Sequence, residues 1–222
     1  MKMNAYIAGA GMTRFGKYLD RGLKSLVAEA VEIALADAGI AKHELQAAYT
    51  GTAAAAIITG QVLVPGEVVL RNLGIGRIPV INCENACATS STAFQQAATM
   101  VSLGVYDVAL VVGYEKLYSA DKQKTFSVFT GAVDVEDMDG VLQLLSQDLA
   151  ASGVRADLSE TTVMRYVLLG LSAQKARHNL LDSGATTGRV AWVSAKNSLH
   201  GSLNPKAQYQ DELSVEQVLA AP

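Results

Sequence analysis

Apolar residues along the first half of the chain alternate between a helical and a strand-like spacing. From Leu23 to Ala38 they recur at steps of three and one, which predicts an amphipathic helix that ends at Gly39. Two further helices are predicted over 61–73 and 88–103. Nearly unbroken apolar runs predict strands at 5–8, 47–51, 78–82 and 105–112.

These elements follow one another in the order β, α, β, α, β, α, β. That order predicts an α/β fold in which a parallel or mixed sheet is covered by helices on both faces. The glycine-rich stretch Gly9–Gly16 is not a dinucleotide-binding fingerprint, because Arg14 stands where the third glycine is required. We interpret it as a tight loop at the exit of the first strand.

After Gly113 the chain becomes mostly helical. Helices are predicted over 141–151, 159–181 and 189–197, a polar loop over 198–211, and a short last helix at the capping-box sequence Ser214–Gln217. We therefore divide the chain into an α/β core over 1–115 and a helical domain over 116–222. No strand is predicted after 112, so we expect polypeptide beyond Pro222, or another chain, to complete the sheet.

The composition indicates a globular protein with a large core. The chain has 222 residues, of which 50% are hydrophobic, and a formal net charge of −3. This charge favours neither a nucleic acid nor an anionic membrane as a partner. No apolar run is long enough to cross a bilayer and no secretory leader is recognisable, so the expected compartment is the cytoplasm.

The chain has two cysteines, Cys83 and Cys87, and Cys87 stands where chemistry is expected. It falls at the turn between a predicted strand and a helix, where unpaired backbone N–H groups stabilise a thiolate. The small residues 88–91 behind it leave room for a substrate to reach the sulfur. The alternative for Cys87 is a buried structural cysteine, which is the role we assign to Cys83.

Two other groups of side chains are candidates for binding. The three histidines, His43, His178 and His200, lie on separate predicted elements. The cysteines therefore have no partner ligands for a metal site. A mixed-sign cluster after Gly113 offers lysines to a phosphate, although a solvated surface is the simpler interpretation. Its members are Glu115, Lys116, Asp121, Lys122 and Lys124.

Three segments resemble the thiolase superfamily, in particular the sterol-carrier-protein-type and archaeal thiolases. Val80–Ser91 resembles the motif in which a nucleophilic cysteine opens the central helix. Asp107–Lys116 is similar to the next strand of that family and its Gly-x-Glu-Lys exit. Ser194–Asn197 and Gly201–Tyr209 are similar to the Lys-Asn-His, Gly, Asn-Pro and Ala-Gln segments of the family's loop domain. Together they match only the first half of such a protein.

The resemblance implies a thiolase-like layered α/β fold with a mostly helical loop-domain insertion that faces acyl-CoA. It implies that Cys87 is the nucleophile and that its backbone N–H is an oxyanion donor, and it places His200 and Asn204 in the substrate-binding loop. Coenzyme A is then a substrate, and no metal or bound cofactor is needed. Two positions depart from the family: Ser90 replaces its usual glycine, and Ser198 its loop-domain histidine.

The second half of such enzymes carries further catalytic groups, none of which occurs in these residues. They are an Asn that holds a water, a Gly-His-Pro histidine and a Cys-x-Gly cysteine, which Cys83 does not match. The expected function is an acyl-CoA thiolase of fatty or aromatic acid degradation, present as a subunit or truncated form, in a homo-oligomer.

Two alternatives stay open. One is a thiolase-like aldolase or condensing subunit that works with a zinc-ribbon and OB-fold partner, which the lysines and aromatic residues of Tyr114–Met138 favour. The other is a non-catalytic fragment that binds acyl-CoA or a partner.

Overall fold

The computed structural model describes residues 3–151 and 182–221, together with residues 176 and 180. The chain divides into two compact units, one of residues 1–13 and 17–125 and the other of residues 14–16 and 126–222. The helix predicted over 159–181 and its residue His178 lie outside the described residues, apart from positions 176 and 180.

A parallel sheet forms the centre of the first unit. β1 (Ala47–Gly51) lies between β2 (Val80–Cys83) and β3 (Ala109–Gly113) and pairs in parallel with both. Every residue of β1 is buried, as expected of a strand that is covered on both faces. The predicted α/β class is therefore confirmed, and both described strand pairings are parallel.

Helices cover the two faces of this sheet and give each face an apolar core. α1 (Leu23–Ala38) and α3 (Pro65–Arg71) lie on one face, and α4 (Thr89–Ser102) lies on the other. The first core contains Leu23, Val27, Val31, Ala48, Val69, Leu70, Leu110 and Val112, and the second contains Ala47, Tyr49, Cys83, Ala93 and Ala97. Successive residues of β1 thus point to opposite helical layers.

The first helix has the predicted bounds. Leu23, Val27 and Val31 are its buried residues and recur every fourth position, which places them on one face. Gly39 ends the helix with φ at 66°, a left-handed conformation that glycine adopts without steric cost.

Residues 5–8 do not form the predicted strand. Tyr6 is 91% exposed and Ile7 is 72% exposed, and none of the described strand pairings includes them. The residues that follow lie against α1: Gly9 and Gly11 are so close to it that an added Cβ would clash with the helix backbone. An apolar run indicates that a strand can form, but it does not supply the partner that a strand needs.

β1 has the predicted bounds, whereas β2, β3, α3 and α4 are shorter than predicted. α2 (Ala55–Thr59) follows β1, and α3 begins at Pro65, where a missing N–H is tolerated, rather than at 61. β3 begins at Ala109 rather than 105, since the backbone N–H of Asp107 donates to the Gln46 side chain instead of a strand.

The second unit, as far as it is described, is helical. α5 (Lys122–Thr130) contains the boundary between the units, and α6 (Met138–Ala151), α7 (Thr187–Leu203) and α8 (Val215–Leu219) follow. The predicted capping box is present, since Ser214 Oγ accepts from Gln217 N and Gln217 Oε1 accepts from Ser214 N. Among the described helices, none combines the length and apolarity that a membrane crossing requires.

Candidate active site

Cys87 lies in a single 3-10 turn, Ala86–Ala88, which joins β2 to α4. Its thiol is free and exposed, in contrast to the burial expected of a structural cysteine. The position agrees with the predicted strand-turn-helix order. The structure thus presents a free thiol to solvent just before the start of α4.

The turn before Cys87 is strained and held in place by hydrogen bonds. Ala86 has φ at 46°, a left-handed conformation that costs an L-residue about 1–2 kcal/mol. Its N–H donates to Glu84 Oε1 at 2.6 Å, and its carbonyl accepts from Thr89 Oγ1 at 2.7 Å. Thr89 Oγ1 also accepts from Asn85 N at 2.8 Å. Such over-determined strain is typical of residues that present a functional group.

Two glycines let the first turn of α4 rest on the sheet. A Cβ on Gly51, the last residue of β1, would stand 2.6 Å from Thr89 Cγ2. One on Gly113, the last residue of β3, would stand 2.7 Å from Ser90 Cβ. The serine at position 90 is therefore accommodated because position 113 is a glycine. Cys87 is placed near the carboxyl ends of parallel strands, where α/β proteins commonly bind ligands.

Glu115 joins the segments that leave β1 and β3. Its carboxylate accepts from Thr52 Oγ1 at 3.0 Å and from the backbone N–H groups of Ala53 and Ala54 at 2.9 and 3.1 Å. Glu115 therefore fixes the loop beside the strand ends. In the sequence, its place two residues after the end of β3 is the signal that distinguishes it from Lys122 and Lys124, which lie in α5.

Three other members of that charged cluster, Lys116, Asp121 and Lys124, also make contacts within the first unit. Lys116 Nζ donates to the carbonyl of Arg21, and Lys124 Nζ donates to the carbonyl of Ile58 at 2.9 Å. Asp121 accepts from Gln123 N at the start of α5. These contacts organise the chain that follows β3.

A second polar group at the strand ends was missed from the sequence. Asn82 Oδ1 accepts from Thr50 Oγ1 at 3.1 Å and from Gly66 N at 2.8 Å, while its Nδ2 donates to Glu67 at 2.8 Å. These residues come from three separate segments, β1, β2 and the start of α3, so only the folded chain brings them together. The sequence does offer one signal for this contact. Thr50 and Asn82 are the polar residues near the ends of two predicted strands, 47–51 and 78–82.

Tyr114 is buried beside this group. Desolvation by burial raises the pKa of its hydroxyl to about 12, and the nearby Thr50 hydroxyl offsets part of that rise. The two hydroxyls do not meet hydrogen-bond geometry, which agrees with the donation of the Thr50 proton to Asn82. Tyr114 therefore stays protonated at neutral pH.

Cys83 is a core residue, as predicted. Its Sγ donates to Gln96 Oε1 at 3.8 Å, and burial raises the pKa of its thiol. A buried neutral thiol reacts slowly with electrophiles. The two cysteines therefore differ in exposure although they are four positions apart.

His200 and Asn204 belong to the second unit. His200 lies in the last turn of α7 and is exposed, so the prediction that it stands in a loop is wrong. The helix continues through Gly201 and ends at Leu203, and Asn204 is extended because Pro205 disfavours a helical conformation in the residue before it. Asn204 Oδ1 accepts from Lys206 N at 3.0 Å, which orders the following turn. Cys87, by contrast, belongs to the first unit, so the predicted site residues are divided between the two units.

Within the described part of the chain, no three His, Cys, Asp or Glu side chains gather as metal ligands would. The reactive group that the described residues offer is the exposed thiol of Cys87, just after the end of β2.

Comparisons with known proteins identify the family. The model of the thiolase N-terminal domain matches residues 5–216. The benzoylsuccinyl-CoA thiolase subunit BbsB of Thauera aromatica is 28% identical over 99% of this chain and 49% of that protein. Sterol carrier protein 2 of Gallus gallus is 27% identical over 99% of this chain and 37% of that protein.

A solved structure is also similar to this chain in fold and sequence. The Ltp2-ChsH2(DUF35) aldolase matches with a TM-score of 0.64 and 25% identity, over 97% of this chain and 48% of that chain. This chain therefore spans about half, or less, of the length of the proteins it matches. Because the family model covers nearly all of its residues, the chain belongs to the thiolase family and carries the N-terminal domain of that family.

Proposed function

We propose that this chain is the nucleophile-bearing half of an acyl-CoA thiolase and that Cys87 carries the acyl group. The observation that supports this most directly is the exposed, free thiol of Cys87 in a strained turn at the start of α4. In the enzymes that the sequence resembles, the cysteine at this position is the nucleophile. A nucleophilic thiol must be accessible to its substrate, and the turn exposes this one.

The proposed reaction begins with attack of the Cys87 thiolate on the 3-keto carbon of a 3-oxoacyl-CoA. The C2–C3 bond breaks, its electron pair goes to C2 of the departing acyl-CoA, and that carbon takes up a proton. A thioester between Cys87 and the shortened acyl group remains. The thiolate of coenzyme A then attacks this thioester, and the products are the shortened acyl-CoA and free Cys87. The backbone N–H of Cys87 is the proposed donor to the oxyanion.

The proton transfers of this reaction fall to groups that the resembling enzymes carry in their second half. Because the chain spans 49% of its thiolase relative, complete turnover is proposed only for the chain together with such a half. Acyl transfer to Cys87 is the step that these residues are proposed to support by themselves. Residues 116–222, with His200 and Asn204, are the proposed acyl-CoA-facing domain, and a homo-oligomer is the proposed assembly.

The test is selective modification of Cys87. Iodoacetamide at neutral pH is expected to add one group to the chain, at Cys87, and acetyl-CoA present beforehand is expected to slow that reaction. Incubation with acetyl-CoA alone should leave an acetyl thioester on Cys87 that hydroxylamine removes, which intact mass and peptide mapping detect.

The matched controls are the Cys87→Ala and Cys83→Ala variants. The first should lose both modifications, and the second should keep both because Cys83 is buried. Alkylation without acetylation would support the non-catalytic acyl-CoA-binding alternative. Equal labelling of both cysteines would contradict the proposed role of Cys87.

A second candidate is a thiolase-like aldolase subunit that works with a zinc-ribbon and OB-fold partner. The match to the Ltp2-ChsH2(DUF35) aldolase favours it, as does the subunit named in BbsB. A retro-aldol cleavage removes a proton from a 3-hydroxyl group and passes through no acyl-cysteine. In the complete protein, release of a carbonyl product from a 3-hydroxyacyl-CoA, undiminished in Cys87→Ala, would support the aldolase and exclude the thiolase reaction.

A further inference from the structure

One face of α7, in the second unit, carries basic side chains and no acid. The helix sequence from Thr187 to Leu203 contains no aspartate or glutamate. Its basic residues, Arg189, Lys196 and His200, are all exposed. They are seven and four positions apart, so they lie along one face of the helix over about 17 Å.

Large apolar side chains are exposed on the same face. Trp192 is 65% exposed, Val193 is 54% exposed and Leu203 is 74% exposed. At 100° per residue, each of them lies within about 60° of Arg189 around the helix axis, whereas the buried Ala191 lies on the opposite side. We call the following six residues the α7 face: Arg189, Trp192, Val193, Lys196, His200 and Leu203.

The composition of the α7 face is typical of a contact surface. Single exposed apolar side chains are common, but here three lie among basic residues on one helix face. Tryptophan and arginine are also enriched where proteins meet. The described ion pairs include none of the six residues. A partner surface that fits this face must therefore bring carboxylates and an apolar contact.

The same unit carries a surface of that kind. Residues Asp134–Asp139, which we call the acidic segment, hold four carboxylates in six positions, and all four acids are exposed. Val135 lies among them and is 61% exposed. In the described part of the chain, the carboxylates of Glu136 and Asp139 make neither an ion pair nor a hydrogen bond.

Stabilisation of α6 explains only part of the acidic segment. Asp137 accepts from Gly140 N at 3.0 Å, and Asp139 lies in the first turn of the helix, where a negative charge is favourable. Glu136 and the exposed Val135 lie before the helix and have no such role. An interaction surface accounts for them as well.

The two surfaces together decide between the occupants that a basic helix face admits. A phosphate or an anionic lipid would bind the α7 face but would be repelled by the acidic segment. A second copy of this chain brings the opposite charge to both surfaces at once. Around a twofold axis, each copy supplies both surfaces and the same contact is made twice.

We propose that two copies of this chain associate through the α7 face of one and the acidic segment of the other. The carboxylates meet the basic side chains, and Val135 contacts the apolar side chains between them. The inference rests on the homo-oligomer proposed above and assigns it an interface in the second unit. It does not depend on acyl transfer to Cys87, which the modification of Cys87 tests separately.

The first measurement is the mass of the purified chain by sedimentation velocity at two salt concentrations. Between about 0.1 M and 1 M NaCl the Debye length falls from about 10 Å to about 3 Å, which weakens attraction between exposed charges. The mass is expected to halve over this range. A mass of one copy at both concentrations would overturn the interface and the homo-oligomer together, and the modification of Cys87 would still report on the acyl transfer.

Charge reversal tests the location. The variant Arg189→Glu/Lys196→Glu makes the α7 face acidic, and the variant Glu136→Lys/Asp139→Lys makes the acidic segment basic. Each variant alone should fail to pair at the lower salt concentration. An equimolar mixture of the two should pair again, because opposite charges then meet at both contacts. Restored pairing also shows that neither variant is misfolded.

The matched control reverses two exposed acids of the same unit that lie outside both surfaces, Asp182→Lys/Glu212→Lys. This variant should pair as the unmodified chain does. Pairing that persists in both reversal variants would place the interface elsewhere and overturn the proposal, although a homo-oligomer would remain. Failure of the mixture to pair would likewise overturn it.

Discussion

At the scale of single residues, the backbone around Cys87 is more constrained than its side chain. Ala86 occupies a left-handed conformation with three hydrogen bonds nearby to hold it, while the thiol itself is exposed. The strain is thus localised in the residue before Cys87. A glycine at that position would relieve it.

Ala86→Gly is expected to raise the free energy of unfolding by about 1 kcal/mol, since glycine adopts a positive φ without steric cost. Ala36→Gly, in the last helical turn of α1, is the matched control and should lower it by about 0.5–1 kcal/mol, because glycine is a poor helix former. Urea denaturation of both variants measures the difference. A loss of stability in Ala86→Gly as large as that in Ala36→Gly would show that the turn stores no strain.

At the scale of elements, the start of α4 depends on glycines at the ends of two strands. Thr89 occupies the space that a side chain at position 51 would need. Ser90 occupies the space that a side chain at position 113 would need. The sequence motif around Cys87 therefore depends on residues 36 positions before it and 26 positions after it. This dependence is testable because Thr89 carries a methyl group that serine lacks.

Gly51→Ala should lower the free energy of unfolding by about 1–3 kcal/mol, because the new Cβ overlaps Thr89 Cγ2. Thr89→Ser removes that methyl and keeps the hydroxyl that bonds Asn85 and Ala86. The double variant should recover most of the loss, and a double-mutant cycle measures the coupling. Purely additive effects would contradict the close contact.

Glu115 acts on a different element, the loop after β1. In Glu115→Ala, amide exchange at Ala53 and Ala54 should be about fivefold to tenfold faster, because both amides lose a charged acceptor. Glu44→Ala removes another carboxylate that accepts from a backbone N–H, at Ala41, and should leave those two amides unchanged. Hydrogen exchange followed by mass spectrometry or NMR resolves this, and unchanged rates in Glu115→Ala would exclude the loop contact.

Local signals predicted the elements whose formation depends on nearby residues. The bounds of α1 and the capping box at Ser214 were correct, since spacing and capping residues act within one or two turns. The pairing of 5–8 was wrong because a strand depends on a distant partner. The end of α7 was wrong because residues 198–211 were interpreted as one polar loop, whereas Pro205 sets the limit of the helix. The place of Cys87 was predictable, but the contacts of Glu115 and Asn82 were not, since they join segments far apart in sequence.

At the scale of the whole molecule, buried tyrosine and cysteine side chains make the free energy of unfolding depend on pH in the alkaline range. Burial raises the pKa of Tyr114 to about 12 from 10.0, and it also raises the pKa of Cys83 and Tyr49. Above the ordinary values of these groups, the unfolded chain releases protons that the folded chain retains. The free energy of unfolding should therefore fall as pH rises through this range.

Tyr114→Phe should remove part of that fall, because its contribution is lost between pH 10.0 and about 12. Below pH 10 the variant should show the same pH slope as the unmodified chain. Tyr6→Phe is the matched control, because Tyr6 is 91% exposed. Urea denaturation at several pH values gives the slopes, and an unchanged alkaline slope in Tyr114→Phe would show that another group is responsible.

The strand order β2-β1-β3 has a consequence for the order of folding during synthesis. Ala48 pairs with Val80 and Ala47 with Ala109, so the second pairing closes a loop about twice as long, at an added entropic cost of roughly 0.6 kcal/mol. A ribosome adds about 5–20 residues each second, so β1 and β2 are available to pair before β3 exists. During that interval the central strand has one open edge, and a nascent chain is most exposed to wrong pairing there.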